Sequence, residues 1–258
     1  MSGLPITIVT AFFDIGRGEW EHYNRTESEY LGHFKNMLQI KMDMVIFTEF
    51  KYVEFITRYR DHLKYKTQIV VLSLKDTYMY KEFYSDVMSV YKSPFHALNH
   101  PNPKAPEVSK PLYNIITCNK MDFMRRAINY TEHNYLVWID AGYTHSTIDL
   151  SKIDWNPSSL LDHNDRMCII ALKDVKCINP NPEIFFNMYD DVVIGGFFGG
   201  YKHTVKVIAD KYYKLLTDLL WNKHIIDDDQ FYNSLLVTYH PELFTVYYTS
   251  WYGGMFIQ

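Results

Sequence analysis

Cysteine is scarce in this chain of 258 residues: Cys118, Cys168 and Cys177, an odd number at spacings that match no zinc or redox motif. That argues against a disulfide framework, and reduced thiols in a cytoplasmic protein are the simplest account (host cytoplasm, if the chain is viral). No apolar run approaches the ~20 residues of a membrane helix. The first such run, residues 4–13, has no positively charged segment ahead of it, so a first β-strand explains it better than a signal peptide. Tyr, Trp and Lys side chains leave peripheral contact with a membrane surface open. A long basic block is also missing, and 26 basic against 30 acidic residues give a formal net charge of −4. That balance argues against phosphate-backbone binding as the main business of the chain. Internal repeats and low-complexity segments are absent as well.

What is present is ordinary globular composition, with 47% apolar and 22% charged residues in a length sufficient for a full core. The 22 tyrosines are many, and phenol rings suit carbohydrate and nucleoside sites as readily as they fill cores. Residues 5–13 read as an opening strand, 26–41 as a helix, 43–48 as a second strand, 51–64 as a helix and 67–74 as a third strand. This order is that of βαβ units, predicting a mostly parallel sheet. Residues 75–91 and 113–130 read as helices. Between them, residues 93–111 carry five prolines and read as a long irregular loop over the fold rather than a domain boundary. A strand at 167–172, a strong amphipathic helix at 202–221 and a helix from Gln230 to Val237 complete the pattern. The expectation is α/β, one domain over 1–258.

Three stretches carry chemistry. Tyr135-Leu-Val-Trp-Ile-Asp-Ala-Gly142 reads as a strand buried on both faces that ends in Asp140. Acids there lie where open α/β sheets bind ligands, although an Asp that merely starts a turn is equally common. Residues 14–18, Asp-Ile-Gly-Arg-Gly, form a loop that could cradle a phosphate with backbone amides and Arg17; a tight turn with an exposed Arg is the plainer reading. Asp227-Asp228-Asp229-Gln230 precedes a helix, where acids serve as N-caps. Ahead of that triplet lies Gly195-Gly196-Phe197-Phe198-Gly199-Gly200, read as a glycine-aromatic turn against which a sugar ring could lie. Together they suggest a hard divalent cation, Mn²⁺ or Mg²⁺, on Asp140, and a second acid serving as base or nucleophile against a sugar carbon.

The strings ITIVTAFFDIGRGEW (6–20), MVIFTE (44–49), YLVWIDAGYTH (135–145), VIGGFFGG (193–200) and DDDQFYNSLL (227–236) together resemble the HtrL/YibB-like family of bacteria and some viruses. That family is a branch of the glycosyltransferase-A-like (GT-A-like) fold, and the resemblance runs from Ile6 to about Trp251. More distantly, the pattern is similar to the blood-group type α-galactosyltransferases, with their Phe-Thr-Asp strand end, Asp-x-Asp metal motif, Gly-Gly-x-Phe-Gly-Gly turn and Asp-Glu before a helix. The resemblance implies a single GT-A-like domain with a mostly parallel central sheet flanked by helices on both faces. It implies that Thr48 and Glu49 lie near the nucleoside, with Thr10 and Asp140 also on the donor; Arg17 and Lys120 are candidates for its phosphates, although a solvated charge is an equal reading of a helical lysine such as Lys120. Asp140 takes the first metal position. The stretch Gly195 to Gly200, with Gln230 and Trp251, lines the sugar and acceptor pocket. Asp229 matches the catalytic Glu, with Asp228 just ahead of it.

One departure stands out: Gly142 occupies the place of the second acid of Asp-x-Asp. Either the metal has one direct carboxylate from this strand, or another residue (His145, Asp228 or His240) completes the site, or catalysis is metal-free. The implied activity is transfer of a hexosyl or pentosyl group from a nucleotide-diphosphate-sugar donor, with retention slightly favoured. The acceptor would be a surface glycan, a lipid-linked saccharide or another hydroxyl, and for a viral chain nucleic acid bases join the acceptors. A nucleotide-sugar-binding protein without turnover and a nucleotide-sugar hydrolase are the rival readings.

Overall fold

The computed structural model describes residues 5–257 apart from Ser146, Asp154, Asn164 and Tyr189. The β-branched opening run forms β1 (Ile6–Phe12), and α1 (Glu27–Met37) follows it. Thr26 starts α1 with a capping box. Its hydroxyl accepts from the Glu29 amide at 3.2 Å, and its own amide donates to Glu29 Oε2 at 2.7 Å, so two amides without helical partners are satisfied. Then come β2 (Asp43–Thr48), α2 (Val53–Arg60), β3 (Thr67–Val71) and α3 (Tyr78–Lys92). Four helices lead on, α4 (Pro94–Leu98), α5 (Pro106–Ser109), α6 (Pro111–Cys118) and α7 (Lys120–Ala127), before β4 (Tyr135–Ile139). The rest is β5 (Met167–Ala171), α8 (Pro182–Met188), β6 (Val193–Tyr201), α9 (Lys202–Asp218), α10 (Asp229–Tyr239) and β7 (Phe244–Tyr248).

The described strands form one seven-stranded sheet in the order β3-β2-β1-β4-β6-β5-β7. β1 to β4 are mutually parallel, β7 is parallel to β5, and only β6 runs against its neighbours. Helices cover both faces. Alternation along β4 divides the core, because successive side chains leave opposite sides of a strand. Leu136 and Trp138 join Val9, Phe47 and Phe198 beneath α3, α6, α7, α9 and α10. Tyr135, Val137 and Ile139 join Ile8, Ile46 and Phe197 with Phe34 and Met37 of α1 and Ile56 of α2. Each such large side chain contributes about 1.5–3 kcal/mol on burial, which is why β4 is a continuous apolar run.

The structure corrects four expectations. Residues 195–200 are not a turn but part of a buried strand, because Gly199 and Gly200 register against Val137 and Leu136 of β4. The irregular loop 93–111 contains α4 and α5, and Pro94, Pro106 and Pro111 each sit in the first helical turn, where a missing N–H costs nothing. The helix expected over 113–130 is two, α6 and α7, meeting at Asn119. Near the C-terminal end lies a strand the pattern did not show, β7, pairing with β5 at the sheet edge. Among the described residues no helix is long and apolar enough to cross a membrane.

Candidate functional site

A cavity of about 590 Å³ opens at the ends of β1 and β4 and the start of α10. Because β6 is reversed, its first half lies at the same edge: the Asp140 amide donates to Gly196 O at 3.0 Å. Strand ends and a helix N-terminus therefore face one space, the usual ligand position in open sheets.

Lys120 is at its floor. Asn119, which is fully buried, fixes the start of α7: its Nδ2 donates to Ile115 O at 2.7 Å and its Oδ1 accepts from the Met79 amide at 3.0 Å. The next side chain then points inward. Lys120 Nζ stands 3.0 Å from Asp140 Oδ1, 3.0 Å from Asp229 Oδ1 and 3.0 Å from Gly195 O. Three N–H groups thus meet three acceptors. Burial works against the charged amine, but Asp140 and Asp229 outweigh it and hold its pKa above the ordinary lysine value.

The two acids differ in setting. The Asp140 side chain is 37% exposed and faces the cavity, and its Oδ1 also accepts from Trp138 Nε1 at 2.7 Å. Asp229 is 3% exposed, and its Oδ2 is buried without a hydrogen-bond partner. Burial pushes the Asp229 carboxyl up to about 7; Lys120 opposes the rise, and the charges of Asp228 and Asp140 add to it. Asp228 is the N-cap of α10: its Oδ1 accepts from the Gln230 amide at 2.9 Å and its Oδ2 from Gln230 Nε2 at 3.1 Å. A helix cap and a buried acid are thus neighbours on one helix start.

The loop after β1 closes another part of the wall. Asp14 Oδ1 accepts from the Gly16 amide at 2.9 Å, and Gly16 takes a left-handed φ of 71°, a conformation glycine adopts freely. Arg17 follows, with its Nε donating to Tyr23 O at 2.9 Å and its guanidinium 5.3 Å from the Trp20 ring centroid. Arg25 lies 5.1 Å over the Tyr30 ring, with Nη1 3.2 Å from His145 Nε2. Tyr23 and His145, both on the cavity wall, have left-handed φ values of 57° and 45°. Non-glycine residues hold that conformation at a cost the surroundings must offset. Burial, and then the charges of Arg25 and His33, lower the His145 pKa.

The expected site residues divide. Arg17, Lys120, Asp140, Gly195, Gly196, Asp228, Asp229, Gln230 and Trp251 line this one cavity. Trp251 is held there through its carbonyl, which accepts from Tyr143 Oη at 2.7 Å. Thr10, Thr48, Glu49, Phe197, Phe198, Gly199 and Gly200 are not on its wall. The Thr48 hydroxyl is buried and donates to Phe12 O at 2.8 Å, and Thr10 is buried within β1. Glu49 acts at one remove, its Oε2 accepting from the Asp14 amide at 3.1 Å. Phe198 stacks near Trp138 on one face of the sheet, and Phe197 packs by Tyr143 on the other. Lys120, expected on a donor phosphate, here places its N–H groups on Asp140, Asp229 and Gly195 O. His240 is away from the cavity, near Lys211 and Glu242.

Sequence reasoning passed over Arg25, Glu107, Tyr113 and Asp191, all on the wall. None belongs to a motif, and Glu107 sits in the proline-rich stretch read as loop. Burial and then the charge of Asp228 push the Glu107 carboxyl up to about 7. Among the described residues, no three His, Cys, Asp or Glu side chains are grouped to hold a metal ion.

Comparison with known proteins finds relatives of this chain. Protein HtrL of Escherichia coli (strain K12) is 26% identical over 258 residues, covering 94% of this chain and 87% of that one. The crystal structure of mouse xyloside xylosyltransferase 1, apo form, superposes with a TM-score of 0.45 at 12% identity, covering 93% of this chain and 84% of that one. The family model described as "Bacterial protein of unknown function (HtrL_YibB)" matches residues 5–257, and the chain therefore belongs to the HtrL/YibB family.

Proposed function

We propose that this chain is a glycosyltransferase that moves a sugar from a nucleotide-diphosphate donor to a hydroxyl acceptor. The observation that carries the reading is the meeting of Asp140 and Asp229 on one ammonium, 3.0 Å from each, at the floor of a cavity that also presents Arg17 and Arg25. A nucleotide sugar has the matching polarity. Its diphosphate suits guanidinium groups, which bind phosphate through paired N–H donors. Its sugar hydroxyls suit carboxylates, which accept hydrogen bonds.

In the reaction, the bond between the anomeric carbon and the diphosphate oxygen breaks and a bond to the acceptor oxygen forms. The acceptor's proton passes to a carboxylate, and the diphosphate departs with its charge facing Arg17 and Arg25. Asp229 suits the proton transfer, because a group titrating at about 7 can both take and return a proton near neutrality. Asp140, more exposed, meets the sugar first. The order of motifs shared with the blood-group type transferases points the same way.

Thermal shift with a panel of nucleotide-diphosphate sugars, with and without Mn²⁺, tests the donor site through ligand-linked stabilisation. At least one donor should raise the melting temperature. Release of nucleotide from that donor should then fall by two orders of magnitude or more in Asp229→Asn, the scale of losing an acid-base group. No shift with any nucleotide sinks the proposal. Binding without turnover in wild type and variants alike would favour a binding protein.

A further inference from the structure

The acids that meet in the cavity would attract a divalent cation, yet a cation is already built into the chain. Lys120 Nζ lies 3.0 Å from Asp140 Oδ1, 3.2 Å from Asp140 Oδ2 and 3.0 Å from Asp229 Oδ1. A metal bridging the same two carboxylates would have to take that place, with oxygens at about 2.0–2.6 Å and six or more of them. The surroundings do not fit such a shell. Trp138 Nε1 already donates to Asp140 Oδ1 at 2.7 Å, which takes one of that oxygen's lone pairs. Residue 142 is glycine, and no third His, Cys, Asp or Glu joins the pair among the described residues. The ammonium, by contrast, fits without remainder: its third N–H reaches Gly195 O at 3.0 Å.

We propose that Lys120 is the fixed cation of this centre, standing where a divalent ion would bridge Asp140 and Asp229, and that the donor is bound and used without a metal. Lys120 is then a positioning residue. It touches the two carboxylates and not the substrate, and it keeps like charges together in a buried site where either alone would be costly. The part of this inference that concerns the donor rests on the glycosyltransferase reading; the part that concerns the cation does not.

The two parts are tested separately. Free Mn²⁺ is followed by electron paramagnetic resonance as the full chain is titrated, with no nucleotide present. Wild type should take up no Mn²⁺ below about 1 mM, the weak end of carboxylate sites. Lys120→Ala, which leaves the carboxylates facing an open space, should bind Mn²⁺ at least about tenfold more tightly. Adding Asp140→Asn should remove that gain. If Lys120→Ala does not fold, Lys120→Ser serves in its place, since it also vacates the position between the carboxylates and its hydroxyl can meet one of them. Tight Mn²⁺ uptake by wild type that Asp140→Asn abolishes overturns the proposal, as does a lysine variant that binds no better than wild type. In the second arm, wild type is melted with the nucleotide-sugar panel in excess chelator and again in Mn²⁺. Equal stabilisation supports the proposal. Stabilisation only with Mn²⁺ overturns it while leaving the transferase reading intact, and no stabilisation at all defeats the transferase reading while the Mn²⁺ titration still decides the role of Lys120.

Discussion

Asp229 occupies the space that a side chain on residue 195 would need: a Cβ placed on Gly195 falls 2.0 Å from Asp229 Oδ2 and 2.6 Å from its Cγ. Asp229 is short, buried and paired with Lys120, so its carboxyl cannot give way without losing that contact. In Gly195→Ala, therefore, the carboxyl must swing away from Lys120 or the strand must shift. Overpacking of this kind costs about 1–3 kcal/mol, and urea unfolding should show it as a lowered midpoint. Removing the obstacle should recover part of the loss, so Gly195→Ala/Asp229→Ala is expected to be non-additive by more than about 0.5 kcal/mol. Strictly additive effects would mean that the glycine is there for another reason.

Glu107 predicts a pH dependence. Its Oε2 is buried with no hydrogen-bond partner, and burial with the Asp228 charge raises its pKa from 4.5 to about 7. A carboxyl raised in the folded state binds more protons folded than unfolded between those two values. Its contribution to stability is thus full below about pH 4.5 and is lost as pH rises through about 7. Glu107→Gln carries no proton to lose. Relative to wild type it should be more stable at pH 8 by on the order of 1–3 kcal/mol, with the advantage vanishing toward pH 4.5. Denaturant midpoints across this range would measure it, and a variant advantage that grows toward low pH would contradict the sign.

Arg60 ties the first helical layer to the sheet edge. It is 1% exposed, and its guanidinium donates to Leu38 O at 3.1 Å, Ile40 O at 2.7 Å and Met42 O at 2.7 Å, with Nε to Thr67 Oγ1 at 2.9 Å. The carbonyls belong to the connection from α1 to β2, which lies outside the helix and strand ladders. Arg60→Met keeps the apolar stem and leaves these acceptors buried without the guanidinium, so a loss of about 3 kcal/mol is expected. Unfolding at equilibrium should reveal it with no change in nucleotide-linked stabilisation, since Arg60 is remote from the cavity wall.

How much of this could be read from residues alone depends on which forces were local. Asp140 was legible because a carboxylate that closes a buried apolar strand must open onto water or a polar ligand, and Asp229 because helix starts announce themselves. Thr48 was placed at the right strand end, but a strand alternates faces with each residue, and the pleat turned its hydroxyl toward Phe12 O and away from the cavity. The stretch Gly195 to Gly200 looked like a turn because glycines favour turns. In the fold Gly195 and Gly196 are small because Asp229 and Tyr143 crowd them, and crowding between distant segments leaves no local signal. Lys120 was named as a donor-phosphate contact, but its pairing with Asp140 and Asp229 was not legible. A lysine on a helix looks solvated, and only the anchoring of Asn119 and the approach of β6 turn it inward. β7 was hidden for a similar reason, being a half-exposed edge strand whose aromatic residues show no clean alternation.

Arg25 provides the sharpest check on the ligand itself, because nothing in the sequence marked it. Its guanidinium lies over Tyr30 and beside His145, on the cavity wall with Arg17. If the diphosphate lies there, Arg25→Ala loses charge-assisted hydrogen bonds worth about 1.5–3 kcal/mol, and donor affinity should fall about tenfold or more. The free protein should change little, by about 0.5 kcal/mol, as for other partly exposed positions. A control removes the same charge elsewhere: Arg58 pairs with Glu54 at 2.9 Å on the exposed side of α2, away from the cavity. Calorimetric titration of a stabilising nucleotide sugar into both variants separates a contact from a general field effect, which salt would screen. Equal weakening by Arg25→Ala and Arg58→Ala would remove the guanidinium from the donor site, whereas a loss confined to Arg25→Ala would put the phosphates beside Tyr30 and His145.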